Sequence, residues 1–224
     1  MPRIVDFHPS VLIAYSEKNG KLITSVYDGG YPQEPFRFSA NLIGGNPNKN
    51  DTSPLSVLER EIEEEVNPWA SLTEDVIDRK DWANREDILF IKTALLTNVE
   101  EYADFYFHGL SFKKGKVTEY DAIFSAFFVN ISEDVIDCLE KNLRECKKIV
   151  TEGLIGTFKL DILEKRGEYG TAHGTASILN HRFDAHIPHP EGVRAEILKT
   201  PVRSSFKDYL SDPELRHNPT WLRE

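Results

Sequence analysis

"GGNPNKNDTSPLSVLEREIEEEVN", residues 44–67, sets five glutamates within seven positions of a segment that carries every signal of a helix. Ser53 suits the N-cap, and Pro54 suits the first helical position, where its missing N–H costs nothing. Leu55, Leu58, Ile62 and Val66 recur at helical spacing and form one apolar stripe. Asn67 is expected to take the left-handed cap conformation, and Pro68 to end the helix. The spacing therefore predicts a helix over 53–66. On it, Glu61, Glu64 and Glu65 share one edge at i, i+3 and i+4, flanking the buried stripe. Glu59 and Glu63 point elsewhere, toward solvent. Like charges so placed repel by about 0.2–0.5 kcal/mol per i,i+4 pair, so something must offset them. Arg60, four residues before Glu64, can hold that carboxylate by a salt bridge. A hard divalent cation, Mg²⁺ or Mn²⁺, prefers carboxylate oxygens and would turn the repulsion into attraction.

Outward from this helix the chain reads as strands and helices with antiparallel turns, which argues for a mixed sheet covered by helices. Residues 10–28 predict two strands around Lys18-Asn19-Gly20, and 36–45 a further short strand entering the Gly44-Gly45 loop. Residues 69–87 are expected to form a partly helical connection. "DILFIKTALLTN" (87–98) and "EYDAIFSAFFVNIS" (119–132) read as strands from their β-branched and aromatic content. The stretch between them reads as a strand pair turning at Lys113 to Lys116. Ile136, Leu139, Leu143, Cys146 and Val150 share a face of a helix predicted over 132–150, and "TASILNHRF" predicts a shorter one. A domain over 1–183 would be followed by an extension, 184–224, expected to pack over the domain or across a partner subunit. The second arrangement implies a homodimer.

Composition narrows the partners. With 224 residues, 40% hydrophobic and 29% charged, the chain can bury a substantial core. Its net charge of −10 speaks against a nucleic-acid backbone, which needs a basic face. Cys138 and Cys146 make neither a disulfide framework nor a zinc spacing, and suit a reducing cytoplasm. The most apolar stretch, "AIFSAFFV", is far too short to cross a bilayer, so no membrane association is expected. The histidines crowded into 173–217 read as surface residues, with His173 able to line a pocket. Tyr102, Phe105 and Tyr106 read as packing residues, with base stacking the alternative.

"REIEEEVN" resembles the R-E-U-x-E-E-x-G core of the Nudix box, and Gly44-Gly45 stands where that family has its glycine pair. "EGLIGTFKL" (152–160) is similar to the later Nudix segment in which a Glu-Gly loop precedes a strand. The resemblance implies a Nudix-type α/β/α sandwich with a mixed β-sheet and a Mg²⁺-dependent pyrophosphohydrolase. Its substrate would be a small nucleotide, a nucleoside diphosphate linked to another group. By the same resemblance Glu61, Glu64 and Glu65 would ligate metal, with the Gly45 carbonyl as a further ligand, and Arg60 would orient a glutamate. Glu152 would add a metal contact or act as general base, with Glu119 as the alternative. The family's earlier box glutamate has no counterpart, because the loop is one residue longer and puts Asp51 or Thr52 there. Asn67 and Pro68 replace its terminal glycine and aliphatic residue. A Nudix-fold nucleotide sensor that does not cleave is the rival reading. A Nudix-fold isoprenoid diphosphate isomerase would need a pocket cysteine, whereas both cysteines fall on the 132–150 helix.

Overall fold

The computed structural model describes residues 7–71, 81–113, 116–190 and 194–197. Its strands are β1 (Ser10–Ser16), β2 (Lys21–Val26), β3 (Ala40–Asn41), β4 (Ile43–Gly45), β5 (Glu100–Lys113), β6 (Lys116–Asn130), β7 (Leu154–Lys159) and β8 (Arg194–Ile197). Its helices are α1 (Pro54–Val66), α2 (Pro68–Ser71), α3 (Arg85–Leu96), α4 (Glu133–Arg144), α5 (Leu160–Lys165) and α6 (Thr175–Phe183), with a 3₁₀ turn at Glu34–Phe36.

The strands form one mixed sheet in the order β3-β2-β1-β6-β5-β8, with β7 also paired to β2 and β4 to β1. β1 runs parallel to β6 and antiparallel to its other neighbours. Side chains alternate across a strand, so each strand feeds two cores. Leu12 and Ala14 of β1 and Phe127 and Val129 of β6 pack under α1, α3 and α4. Val11, Ile13, Ala122, Phe124 and Ala126 point the other way, toward α5 and α6. Helices thus cover both faces, and the architecture is the α/β/α sandwich that the resemblance implies. No helix among the described residues is long and apolar enough to cross a membrane.

Helix α1 forms as its sequence predicts. Ser53 Oγ accepts from the Ser56 backbone N–H at 3.1 Å, and Ser56 Oγ accepts from the Ser53 N–H at 3.0 Å, closing a capping box. The stripe is rotated slightly from expectation: Val57, Leu58, Ile62 and Val66 are fully buried, while Leu55 is exposed. Asn67 does not take the left-handed cap (φ −129°, ψ 85°). The proline after it disfavours helical angles for the preceding residue, and Pro68 starts a new helical turn, α2, instead of only ending the old one.

Four further expectations need correction. Residues 85–96 are a helix, although 87–98 reads as a strand. Asn84 caps it by accepting from the Asp87 N–H at 2.8 Å, and Ile88, Ile91 and Leu95 give a buried face at helical spacing. Helix periodicity and capping override β-branched content there. The helix predicted over 132–150 stops at Arg144, and Cys146 lies beyond it at φ +55°, exposed. The first hairpin turns through four residues, with Gly20 N–H bonded to Ser16 O at 2.9 Å, and only Gly20 has positive φ. Residues 100–116 are not a strand pair of their own; one long strand, β5, precedes the turn, and its partner runs on through 130.

Ile187 of the expected extension is buried, and its backbone is held on both sides by the Asn180 side chain, at 2.7 and 2.9 Å. β8 pairs antiparallel with β5. Residues 191–193 and 198–224 of that extension lie outside the described residues, as do 72–80 of the expected connection and 114–115 of the expected turn.

Candidate active site

The site begins at the glycine pair. Gly44 has φ +136°, and a Cβ there would stand 2.1 Å from the Ser10 carbonyl oxygen; only glycine lets β4 lie this close to β1. A Cβ on Gly45 would come within 2.5 Å of the Glu61 carboxyl carbon, so glycine is what allows that carboxylate to rest against β4.

Arg60 is the hub. Its guanidinium meets Glu61 Oε1 and Glu64 Oε2, each at 2.8 Å, and donates to the Asn46 carbonyl at 2.7 Å. Asp51, almost fully buried, accepts from Arg60 Nε at 3.2 Å through both oxygens and from Nη2 at 3.1 Å. Its carboxylate also accepts from the Asn48 N–H at 2.6 Å. Of the two residues near the vacant glutamate position, Asp51 is therefore the one that supplies a supporting carboxylate, while Thr52 is exposed. Burial works against the charge on Arg60, but the hydrogen bonds and charges of Asp51 and Glu61 outweigh it, and the guanidinium is held above its ordinary value.

The carboxylates are crowded. Burial is the main cause that pushes Glu65 up to about 8, followed by the charges of Glu61, Glu152 and Glu64. Burial also lifts Glu61, with Arg60 pulling the other way and Glu64 and Asp51 adding to the rise. Glu63 is separate: it bonds Lys92 Nζ at 2.6 Å and Asn67 Nδ2 at 2.6 Å, and Lys92 holds it below the usual carboxylate range. Glu59 is exposed.

Glu152 joins this group through its loop. The Thr151 N–H donates to Glu65 O at 2.8 Å and the Thr151 hydroxyl to Glu64 O at 2.9 Å, so the loop before β7 is clasped to the last turn of α1. Glu119 is not brought in. It sits exposed on the β5–β6 hairpin, 3.8 Å from His108 Nε2, and is not among the charges acting on Glu65.

Among the described residues no three His, Cys, Asp or Glu side chains stand in a metal-holding group. The reason is local: Arg60 engages Glu61 and Glu64. The donor chemistry nevertheless suits a hard cation, since every group is an oxygen ligand and Glu65 carries uncompensated repulsion. Glu64, whose side chain is 54% exposed, has room to rotate off Arg60.

Beside Gly44, Gly45 and Asn46 opens a cavity of about 200 Å³. It lies where β1 exchanges β4 for β2 as its antiparallel partner. Tyr27, Tyr31, Gln33, Asn41, Tyr120 and His173 line much of it. The rings of Tyr27 and Tyr31 stack at 3.6 Å with 7° between planes. Burial, with smaller contributions from Tyr31, Tyr120 and Glu65, pushes the Tyr27 hydroxyl well above its usual range. Burial pushes His173 down to about 4, leaving a neutral imidazole. His173 lines the pocket as one sequence reading allows; nothing local marks Tyr27 and Tyr31 as its companions, and Tyr120 lies about ninety residues further along the chain. Phe105 is core, and Tyr102 sits over α6, 2.6 Å from His181 Nδ1, with neither lining the cavity.

No protein-family model and no curated protein matches the chain. Solved structures do. One is a MutT/nudix family protein. That protein, from Enterococcus faecalis, is 14% identical with a TM-score of 0.28, the match covering 57% of this chain and 38% of that one. The chain is also similar to a bifunctional NMN adenylyltransferase/ADP ribose pyrophosphatase from Francisella tularensis (11% identity, TM-score 0.34, 82% of this chain and 42% of that one). A third is the E. coli ORF135 protein (12% identity, TM-score 0.33, 79% and 94%). The chain spans about two fifths of the length of the first two. Likeness at these scores adds no weight to a functional assignment, which rests on the site itself.

Proposed function

We propose that the protein is a Nudix-type pyrophosphohydrolase that cleaves a nucleoside diphosphate linked to another group and works with Mg²⁺, or Mn²⁺ in its place. The observation that carries this reading is the crowding of Glu61, Glu64, Glu65 and Glu152 beside a ring-sized cavity, with Glu65 raised to about 8. Glu61, Glu64 and Glu65 would hold the cation, with Glu152 and the Gly45 carbonyl as further oxygen donors. When bound, the cation neutralises the diphosphate and makes water more acidic. Arg60, itself fixed by Asp51 and Asn46, positions Glu61 and Glu64. Glu152, on a loop clasped to α1, is the candidate to accept a proton at the scissile bond. The cavity takes a group attached to the diphosphate.

The test is a Glu64→Gln variant assayed with Mg²⁺ against a panel of dinucleotides, nucleotide sugars and nucleoside triphosphates, with released phosphate measured with and without added phosphatase. Loss of a metal-holding carboxylate is expected to cost about a hundredfold or more in kcat/KM on the best substrate. Parental turnover by the variant would sink the assignment. The engagement of both Glu61 and Glu64 by Arg60 favours one rival, a nucleotide sensor that does not cleave. Calorimetry showing ligand binding without turnover in saturating Mg²⁺ or Mn²⁺ would decide for it.

A further inference from the structure

Helix α1 ends without the means to close itself. The last carbonyls of a helix lack intrahelical partners, and a common remedy is a left-handed residue after which backbone N–H groups turn back to them. Here Asn67 is extended (φ −129°, ψ 85°), and the next residue, Pro68, has no N–H to return. The partner comes from far along the chain. The Thr151 N–H donates to Glu65 O at 2.8 Å. The single Thr151 hydroxyl proton is shared between Glu64 O at 2.9 Å and Glu65 O at 3.3 Å. A residue of the loop before β7 thus completes α1 at two positions of its acidic edge.

The same loop is held from its other side. Gly153 has φ +62°, and a Cβ there would stand 2.9 Å from the Val26 carbonyl oxygen, so the chain turns sharply against the end of β2. Leu154 then enters the ladder opposite Val26. Glu152 lies between these two anchors, one residue from each. No hydrogen bond or ion pair among the described residues holds its exposed carboxylate, so the backbone sets where it stands. Consecutive Cα atoms are about 3.8 Å apart, so while Thr151 holds Glu65 O the Glu152 backbone stays at the end of α1. The charge of Glu152 is accordingly one of those acting on Glu65.

We infer that Thr151 is a positioning residue: its hydroxyl, by capping α1 at Glu64 and Glu65, sets the place of the Glu152 carboxylate against the acidic edge. The inference rests on the pyrophosphohydrolase reading for what Glu152 does, and goes beyond it in naming the group that puts Glu152 there. Thr151 acts on the reaction through its neighbour alone. Loosening it therefore costs turnover and spares substrate binding, because a misplaced proton acceptor raises the barrier while the contacts to substrate remain.

Two measurements test this. The first needs neither metal nor substrate: amide hydrogen exchange over residues 150–155, followed in EDTA for the full chain and its Thr151→Val and Thr151→Ser variants. Valine keeps the branched shape and loses the hydroxyl, whereas serine keeps the hydroxyl. Exchange is expected to quicken roughly tenfold in Thr151→Val and to stay within about twofold of the parent in Thr151→Ser. The second is steady-state kinetics with Mg²⁺ on the best substrate of the panel. Thr151→Val is expected to lower kcat roughly tenfold with KM within about twofold, and Thr151→Ser to restore most of the loss. Once Glu152→Gln is present, Thr151→Val should lower kcat no further, whereas a general loosening of the fold would lower it again. Unchanged exchange in Thr151→Val, or kcat losses that multiply in the double variant, would overturn the inference. Should the second methyl of valine prevent folding, Thr151→Ala, which removes the hydroxyl without adding bulk, is read by the same criteria. Faster exchange in a chain without Mg²⁺-dependent turnover would defeat the hydrolase reading while upholding the placement of Glu152 by Thr151. Turnover by a chain whose exchange Thr151→Val leaves unchanged would defeat only the inference.

Discussion

The edge of α1 and the cavity next to it solve opposite problems with buried polar groups. Around Arg60 five carboxylates, Asp51, Glu61, Glu64, Glu65 and Glu152, share too little positive charge, and Glu65 responds by rising to about 8. In the cavity the groups are neutral, and most of them are tied into a chain of hydrogen bonds. The first region carries an excess of negative charge, and the second carries no formal charge. The contrast is one of charge: repulsion dominates the first region, and neutral hydrogen bonding the second.

The strongest way to break the charged half is Arg60→Ala. Removing the guanidinium leaves Asp51 buried without its cation, and such a loss is expected to cost roughly 3 kcal/mol of stability, read as a shift in a urea midpoint. It should also abolish turnover, since Glu61 and Glu64 lose their support. An unchanged midpoint would mean that Asp51 is compensated from elsewhere.

A pH series separates the two halves more finely. Glu65 has a folded value raised above its unfolded one, so the folded state binds the extra proton between about 4.5 and 8. Its contribution to stability is therefore present at low pH and lost as pH rises through that window. In EDTA, above the histidine window, the Tm should fall from pH 6.5 to pH 8 in the parent, and less in Glu65→Gln. Added Mg²⁺ should raise Tm more at pH 8 than at pH 5, because a ligand that prefers the ionised site stabilises it by mass action. His173 and His8 have the opposite sign. Burial lowers both to about 4, so between 6.5 and 4 the unfolded chain binds more protons and stability drops as pH falls. A His173→Gln variant should lose part of this acid sensitivity while keeping the Glu65 response, which would show the two halves titrating independently.

The smallest effect expected is at Asn84, remote from both regions. Asn84→Ala removes the cap of α3 and should cost about 1 kcal/mol in thermal or urea unfolding, with kcat/KM unchanged. A large loss of activity there would mean that α3 positions the site, contrary to the separation drawn above.

The same contrast explains what could be read before folding. The acidic edge lies on one helix, and its information is local: cap, period and charge sit within fourteen residues, and Ser53, Pro54, Leu58 and Ile62 act as their types predict. Even there, Leu55 and Asn67 departed from expectation, because burial against β1 and β4 and the angles imposed by Pro68 are not properties of a single residue. The stretch of α3 reads as a strand because Ile88 and Ile91 favour strands, while the Asn84 cap favours a helix and prevails. The cavity had no local signature at all. Its polar residues come from positions 27 to 173 and meet only because β2, β3, β5, β6 and the loop before α6 converge at the fork in β1. Asp51 lies between these cases: its position was marked by the longer loop, but its bond to Arg60 required the folded loop to show it.

The three hydrogen bonds from Thr151 to the end of α1 make a fastening between stretches more than eighty residues apart in the chain. Because the acids at 61–65 and 152 are joined there, the segment that intervenes is released from setting their spacing. It can be lengthened or recoloured in charge while the acidic cluster stays in register.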